Sequence, residues 1–285
     1  MKTAVITGAG GGLGRALALQ LAMPGAQLLL SDVHEERCAE TARLVEARGA
    51  RAHTTCTDVA AAAQVEALGD AADRLLGRID LVVNNAGVAA AGAVGAAPLE
   101  TWRWIMGINL WGVIHGCHVF APRLVAQRGG AVLNVASAAG IACAPTMAPY
   151  NVTKSGVIAL SETLAAELAP HGVGVTVLCP VFFKTNLLET MRVTDAEQSA
   201  MAAAAFADST MTAEQVAAAA LRAVARRQLY CLPMREARMI WRLKRLMPQR
   251  FHRSILGSAR LQRLAKRRAV SSRRAAPAAR SAADS

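Results

Sequence analysis

Aromatic residues make up only 4% of the 285-residue chain while alanine is abundant, a composition that suits helices packed closely on a sheet. Cysteine is present but unpatterned: Cys38, Cys56, Cys117, Cys143, Cys179 and Cys231 are scattered, with no C-x-x-C and no histidine partner at ligand spacing. That spacing argues against a disulfide frame or a metal site and for reduced, mostly buried thiols of a cytosolic protein. No run of apolar residues reaches the ~20 needed to cross a bilayer. No signal peptide is expected, since a strand pattern begins at Lys2. No second composition type precedes residue 222, which argues against two domains in that stretch.

The net charge of +12 is uneven. Residues 222–285 carry 18 Lys/Arg against two acids, whereas residues 1–221 carry 14 against 18. The high isoelectric point therefore describes the tail and not the body. With 53% hydrophobic residues the body can bury a sizeable core.

Thr3-Ala-Val-Ile-Thr7 is a short β-branched run, and Gly8-Ala-Gly-Gly-Gly-Leu-Gly14 follows it and opens a helical pattern over 15–23. In a strand–turn–helix setting, Gly8 permits a tight turn, Gly12 lets backbone approach a pyrophosphate, and Gly14 lets helix pack on strand. The helix N-terminus would supply amide donors for the phosphates. A second strand, 26–31, ends at Asp32, about where an acid binds an adenosine ribose and repels a 2′-phosphate, which argues for NAD over NADP. Arg15 and Arg37 are the cations that could reverse this preference, and Asp32 is also placed to cap the helix that begins near His34.

The pattern then repeats: helix 34–48, strand 50–56, helix 61–76, strand 80–83, long helix 98–125, strand 131–136, helix to about 169, strand 173–179 and last strand 229–232. Alternation of this kind predicts a parallel sheet with right-handed crossovers. The expected fold is α/β, a Rossmann-type doubly wound sheet flanked by helices over residues 1–233. A basic amphipathic helical extension is expected over 234–270, and a disordered tail over 271–285.

Tyr150 and Lys154, four positions apart, share one face of a helix. A phenol ordinarily titrates near ~10. A neighbouring ammonium would pull it down and make it a tuned general acid/base.

These residues, taken in order, resemble the short-chain dehydrogenase/reductase family over roughly residues 2–235. Thr7-Gly-Ala-Gly-Gly-Gly-Leu-Gly14 resembles its cofactor loop, Asp58-Val59 its adenine-contacting pair, and Asn84-Asn-Ala-Gly87 its sheet-supporting motif. Asn109, Ser137, Tyr150 and Lys154 stand where the family has its catalytic four, Ser137 at the family's spacing of 13 residues before Tyr150. The resemblance implies that Tyr150 exchanges a proton with the substrate oxygen as hydride moves to or from nicotinamide. Ser137 would orient that oxygen, Lys154 would tune Tyr150 and bind a ribose, and Asn109 would hold a relay water. The implied cofactor contacts are Gly8, Gly12, Leu13, Gly14, Asp32, Asp58, Val59, Asn85, Ala86, Gly87, Tyr150, Lys154 and Thr185. Plainer roles stand beside these: Ser137 as a turn cap, Asn109 as a helix bend, and Asn84 as a structural residue. His115, His118 and His171 are expected to be solvated or satisfied. One departure is Val181 where the family has glycine, in Pro180-Val-Phe-Phe-Lys-Thr185, and it bears on the nicotinamide pose.

Ile141, Met147, Phe182, Phe183, Leu187, Leu188, Met191, Met201 and Phe206 give an apolar, adaptable substrate lining. The expected function is an NAD(P)-dependent oxidoreductase, NAD preferred, acting on a hydrophobic secondary alcohol and its ketone or aldehyde. The alternative is a catalytically silent dinucleotide sensor or scaffold. The resemblance implies a homodimer or homotetramer through the two long helices. In the tail, Met239, Ile240, Leu243, Leu246 and Met247 fall on one helical side among arginines. That pattern fits peripheral contact with a membrane surface, packing on the body or at an interface, or nonspecific nucleic-acid contact, with no specific nucleic acid expected.

Overall fold

The computed structural model describes residues 1–183, 189, 191–194, 209 and 211–254. Thr185, Leu187, Leu188, Met201, Phe206 and everything from Ile255 onward lie outside the described residues. Residues Met1–Trp241 form one compact unit and Arg242–Ser285 a second. The first unit thus runs past the expected limit at residue 233: Met234 and Ala237 are buried in its core, and Ile240 and Trp241 pack against it.

The strands are β1 (Thr3–Thr7), β2 (Gln27–Asp32), β3 (Arg51–Cys56), β4 (Leu81–Asn84), the short β5 (Ala90–Ala91), β6 (Ala131–Val135), β7 (Gly174–Leu178), the short β8 (Arg192–Val193) and β9 (Tyr230–Cys231). The helices are α1 (Gly12–Leu21), α2 (Glu35–Glu46), α3 (Ala62–Leu76), α4 (Leu99–Met106), α5 (Gly112–Ala126), α6 (Ala138–Ala142), α7 (Ala148–Leu168), α8 (Ala213–Ala225) and α9 (Arg235–Leu246).

Seven strands pair in parallel in the order β3-β2-β1-β4-β6-β7-β9. Helices cover both faces, so the central strands read as unbroken apolar runs instead of alternating. Val5, Ile6, Leu28, Leu29, Leu30, Leu81, Val82 and Val83 are all essentially buried. One apolar cluster joins the sheet to α1, α2 and α8, and the other joins it to α3, α5 and α7. The chain runs outward from β1 to β3 and then restarts at β4 on the other side. That reversal opens a crevice at the carboxyl ends of β1 and β4, where ligands bind in sheets of this kind.

The sequence pattern did not anticipate three features. The expected single helix over 98–125 is α4 and α5 joined by one π-helical turn, Gly107–Trp111. Strands β5 and β8 form a separate parallel pair. The short helix α6 interrupts the loop after β6. The combined segment Leu99–Ala126 has the length and mean hydropathy of a bilayer-crossing helix, unlike the sequence expectation. Here it supplies Val113, Cys117, Phe120 and Leu124 to the core beneath the sheet.

Candidate active site

The glycine turn is built as its sequence requires. Gly8 and Gly12 have φ of +64° and +50°, a region that side chains rarely adopt. A Cβ at Gly14 would lie 2.1 Å from the Gly8 carbonyl oxygen, so α1 can approach β1 only with glycine there. Asn85 donates through its amide to the Thr7 and Gly8 carbonyls at 2.9 and 3.0 Å, and Ala86 N–H donates to Thr7 Oγ1 at 3.2 Å. The turn and the strand end beyond β4 are therefore one hydrogen-bonded unit. Leu13 is buried in the core and leaves the approach to backbone alone.

Asp32 ends β2 with its carboxylate accepting from Gly10 N–H at 2.8 Å and from His34 N–H at 3.0 Å. The side chain thus braces the entry to α2, whose N-cap is His34 and not Asp32, and stands beside the glycine turn. Arg15 pairs with Glu40 at 2.6 Å and Arg37 with Glu189 at 2.9 Å. Asp58 accepts from Ala60 N–H at 2.9 Å and caps the approach to α3, while Val59 is buried against Gly112. His115 is satisfied as expected, its Nδ1 2.9 Å from the Val59 carbonyl.

The residues present fit a dinucleotide. No side chain caps the start of α1, so its first amides and its dipole face the crevice beside a turn that admits no side chain.

Tyr150 and Lys154 lie in α7, and Ser137 at the end of β6. Tyr150 is buried beside Ile105 and Ala90, with Val88, Trp104, Ala139 and Met147 against that cluster. Ser137 is near enough to its hydroxyl to influence its titration. The Ser137 hydroxyl donates to the Pro180 carbonyl at 3.4 Å and accepts from Ala139 N–H at 3.1 Å as the N-cap of α6, so it serves as a turn cap while lying beside Tyr150. Lys154 Nζ lies 5.7 Å from the Tyr150 ring centroid and donates to the Val135 carbonyl at 2.8 Å.

The expected lowering of the tyrosine pKa is corrected by this environment. Burial pushes Tyr150 up to about 12, against the weaker pull of the neighbouring Ser137 hydroxyl. The ammonium that should lower it is itself disfavoured, since burial lowers Lys154 to about 8. Desolvation is thus the largest cause at both groups.

Asn109 occupies the π-helical turn, fully buried. Its amide accepts from Val88 N–H and donates to Val88 O, both at 2.8 Å, and reaches Thr153 Oγ1 at 3.4 Å. The extra residue of a π turn shifts the helical phase, and such turns are frequent at functional sites. A Cβ on Gly87 would lie 3.2 Å from Asn109 Oδ1 and 3.6 Å from Lys154 Nζ, so the segment 85–87 links the glycine turn to the lysine. Asn84, by contrast, donates to Asn134 Oδ1 at 2.8 Å inside the sheet and is structural.

Two participants were not foreseen. Thr153 Oγ donates to the Tyr150 carbonyl at 2.8 Å. Cys179, which follows β7, lies beside Lys154; burial and Cys231 push its thiol up to about 12 against the pull of Lys154 and of a Ser137 backbone N–H. Nothing in their spacing distinguished either from a core residue. Val181, where glycine was expected, has no left-handed backbone, so no strain attends it; its N–H meets Met234 Sδ at 3.3 Å. Of the expected lining, Met147 meets the cluster around Tyr150, whereas Ile141 and Phe183 pack with the core clusters.

The short chain dehydrogenase family description matches residues 2–196. EphD of Mycobacterium tuberculosis, named "Probable oxidoreductase", is 39% identical over 186 residues, 65% of this chain, but the match spans only 31% of EphD's own length. SadH of the same organism, which carries an oxidoreductase name, is 35% identical over 259 residues, 89% of this chain and 94% of SadH. A short chain dehydrogenase/reductase from Burkholderia phymatum, solved with NAD, superposes with a TM-score of 0.81 at 36% identity, covering 86% of this chain and 92% of its own. A short-chain dehydrogenase from Sphingobium yanoikuyae, solved with NADPH, superposes at 0.72 and 25% identity over 100% of this chain and 99% of its own. Sheet order, glycine turn and these matches agree: the chain is an oxidoreductase and belongs to the short chain dehydrogenase family, whose members act on CH–OH groups.

Proposed function

We propose that this oxidoreductase prefers NAD and interconverts a hydrophobic secondary alcohol with its ketone or aldehyde, Tyr150 exchanging the substrate proton. The observation that carries the reading is the buried Tyr150, with Ser137 beside its hydroxyl and Lys154 Nζ 5.7 Å from its ring centroid. Bound nicotinamide supplies the hydride acceptor or donor, and its oxidised form adds a positive charge.

The chain's own residues supply the rest. Neutral at neutral pH, the phenol is ready to give a proton to a carbonyl oxygen; receiving one back from an alcohol requires that it first be deprotonated. Ser137 can hold the reacting oxygen beside it. Lys154 lies within reach of a ribose, and Gly8, Gly12, Gly14 and Asn85, Ala86 and Gly87 would line the dinucleotide's path. Thr185 would hold the carboxamide.

Preference for NAD is supported by Asp32 at the end of β2, whose charge would face a 2′-phosphate, and by Arg15 and Arg37, each already paired with an acid. Association into a homodimer or homotetramer is supported by Trp111 and Val152, both about half exposed on the two long helical elements.

A panel of hydrophobic secondary alcohols and ketones, each with NAD(H) and NADP(H), tests the reading by absorbance of reduced nicotinamide. Turnover is expected first with NAD(H). Tight cofactor binding without turnover of any member would leave the sensor or scaffold reading instead.

A further inference from the structure

Strand β8 brings a cation to the edge of the apolar cluster around Tyr150. Arg192 N–H donates to the Ala89 carbonyl at 3.1 Å, and Arg192 pairs in register with Ala90, a member of the Tyr150 cluster. Its guanidinium carbon lies 4.0 Å from the centroid of the Trp104 ring, which packs against the same cluster. The face of an indole attracts the cation, and a guanidinium held over it can still offer its N–H edges to a flat acceptor. Among the described residues no carboxylate forms an ion pair with Arg192, unlike Arg15, Arg37, Arg78 and Arg123. Arg192 is exposed, so an incoming anion could reach it without moving the fold.

We infer that Arg192, held on Trp104, is an anion subsite at the substrate entrance that takes a carboxylate remote from the reacting carbon. The substrate class then narrows from hydrophobic alcohols and ketones in general to those whose apolar chain ends in an acid. The chain lies along Met147 and Val88, and the carboxylate meets the guanidinium in two parallel hydrogen bonds. Trp104 is a positioning residue, since it orients Arg192 and need not touch the anion.

The inference rests on Tyr150 as the reacting group but is tested by binding. Octanoate and octanamide, equal in size and different in charge, are titrated calorimetrically into the full chain with NAD present. Wild type should bind octanoate roughly tenfold more tightly than octanamide, the range expected for a charge-assisted hydrogen bond. Arg192→Leu should erase that preference, Arg192→Lys should keep part of it, and Trp104→Leu should reduce it. Tyr150→Phe should leave it intact. Equal affinity for acid and amide in the wild type, no octanoate binding, or an undiminished preference in Arg192→Leu overturns the subsite. An intact preference alongside a fully active Tyr150→Phe would instead remove the proton-exchange role and leave the subsite standing.

Discussion

Lys154 Nζ donates its 2.8 Å hydrogen bond to the carbonyl of Val135, not to the phenol of Tyr150. The bond ties the middle of α7 to the end of β6, the strand that leads into Ser137, so the lysine sets the distance between the two groups that would hold a substrate oxygen. Lys154 is then a structural tie as well as a charge, and the two roles can be separated by experiment.

The phenol prediction is the most direct. Tyr150→Phe removes the exchangeable proton but keeps the ring among Ile105, Ala90 and Trp104. Turnover should fall by roughly 10²-fold or more, the contribution typical of positioned acid–base groups, while NAD affinity changes little. Ser137→Ala should cost less turnover but should also loosen α6, because Ala139 N–H loses its cap. Near-normal rates in the tyrosine variant, measured by nicotinamide absorbance, would remove its assigned role.

Lys154 carries a pH signature in stability. Burial lowers it from 10.5 to about 8, so between those values the unfolded chain binds more protons at this position than the folded one. Stability from this group therefore rises with pH across that window and is penalised below it. Lys154→Met removes this titration together with the Val135 bond, so the stability of wild type relative to the variant should rise by on the order of 3 kcal/mol between neutral pH and the unfolded value. Thermal melts of both proteins at several pH values check this, and a constant gap would contradict the assigned burial effect.

Cofactor choice should turn on one carboxylate. Asp32→Ala removes the charge that would oppose a 2′-phosphate and also the brace on Gly10 and His34. The ratio of NAD to NADP affinity should drop by roughly tenfold or more, an energy of the order of one charge-assisted contact. Fluorescence titration with each reduced cofactor reads it, and an unchanged ratio would refute the ribose contact.

The sheet was legible in the sequence because a parallel strand covered on both faces must be apolar throughout, as Leu28-Leu-Leu30 and Val82-Val83 are. The glycine turn was legible because Gly8, Gly12 and Gly14 meet sterically different demands at fixed offsets. Other features depend on contacts distant in sequence. The π turn at Asn109 follows from its two bonds to Val88, and the β5–β8 pairing joins residues about a hundred positions apart. The inverted pKa relationship of Tyr150 and Lys154 was hidden for the same reason. Spacing reports that two groups are neighbours, but burial decides which of their protons is held.

Packing inside the sheet yields a prediction independent of chemistry. A Cβ on Gly116 would lie 2.1 Å from Asn84 Oδ1, within the buried set that joins Asn84, Asn134 and Ser161. A Cβ on Gly107 would meet only Ala60, at 3.6 Å. Gly116→Ala should therefore destabilise the protein by roughly 1–3 kcal/mol, whereas Gly107→Ala should be neutral or better. Denaturant midpoints of the two variants decide it.

The basic tail offers the last test, and the structure changes how it should be altered. Truncation after Leu232 would strip Met234, Ala237, Ile240 and Trp241 from the core and confound any result with unfolding. Any cut inside α9 (Arg235–Leu246) or before the buried Phe251 shares that fault, so Leu246 and Met247, both exposed, are changed to Ser and Arg242, Arg245 and Arg250 to Gln in the full chain instead. Exposed apolar side chains among arginines suit the interface of an anionic bilayer, where each cation contributes about 1 kcal/mol near the surface. The unaltered chain should co-sediment with liposomes containing phosphatidylserine and be released by added salt, and the substituted chain should remain in the supernatant. Equal sedimentation of the two proteins would assign these residues to packing or an interface instead.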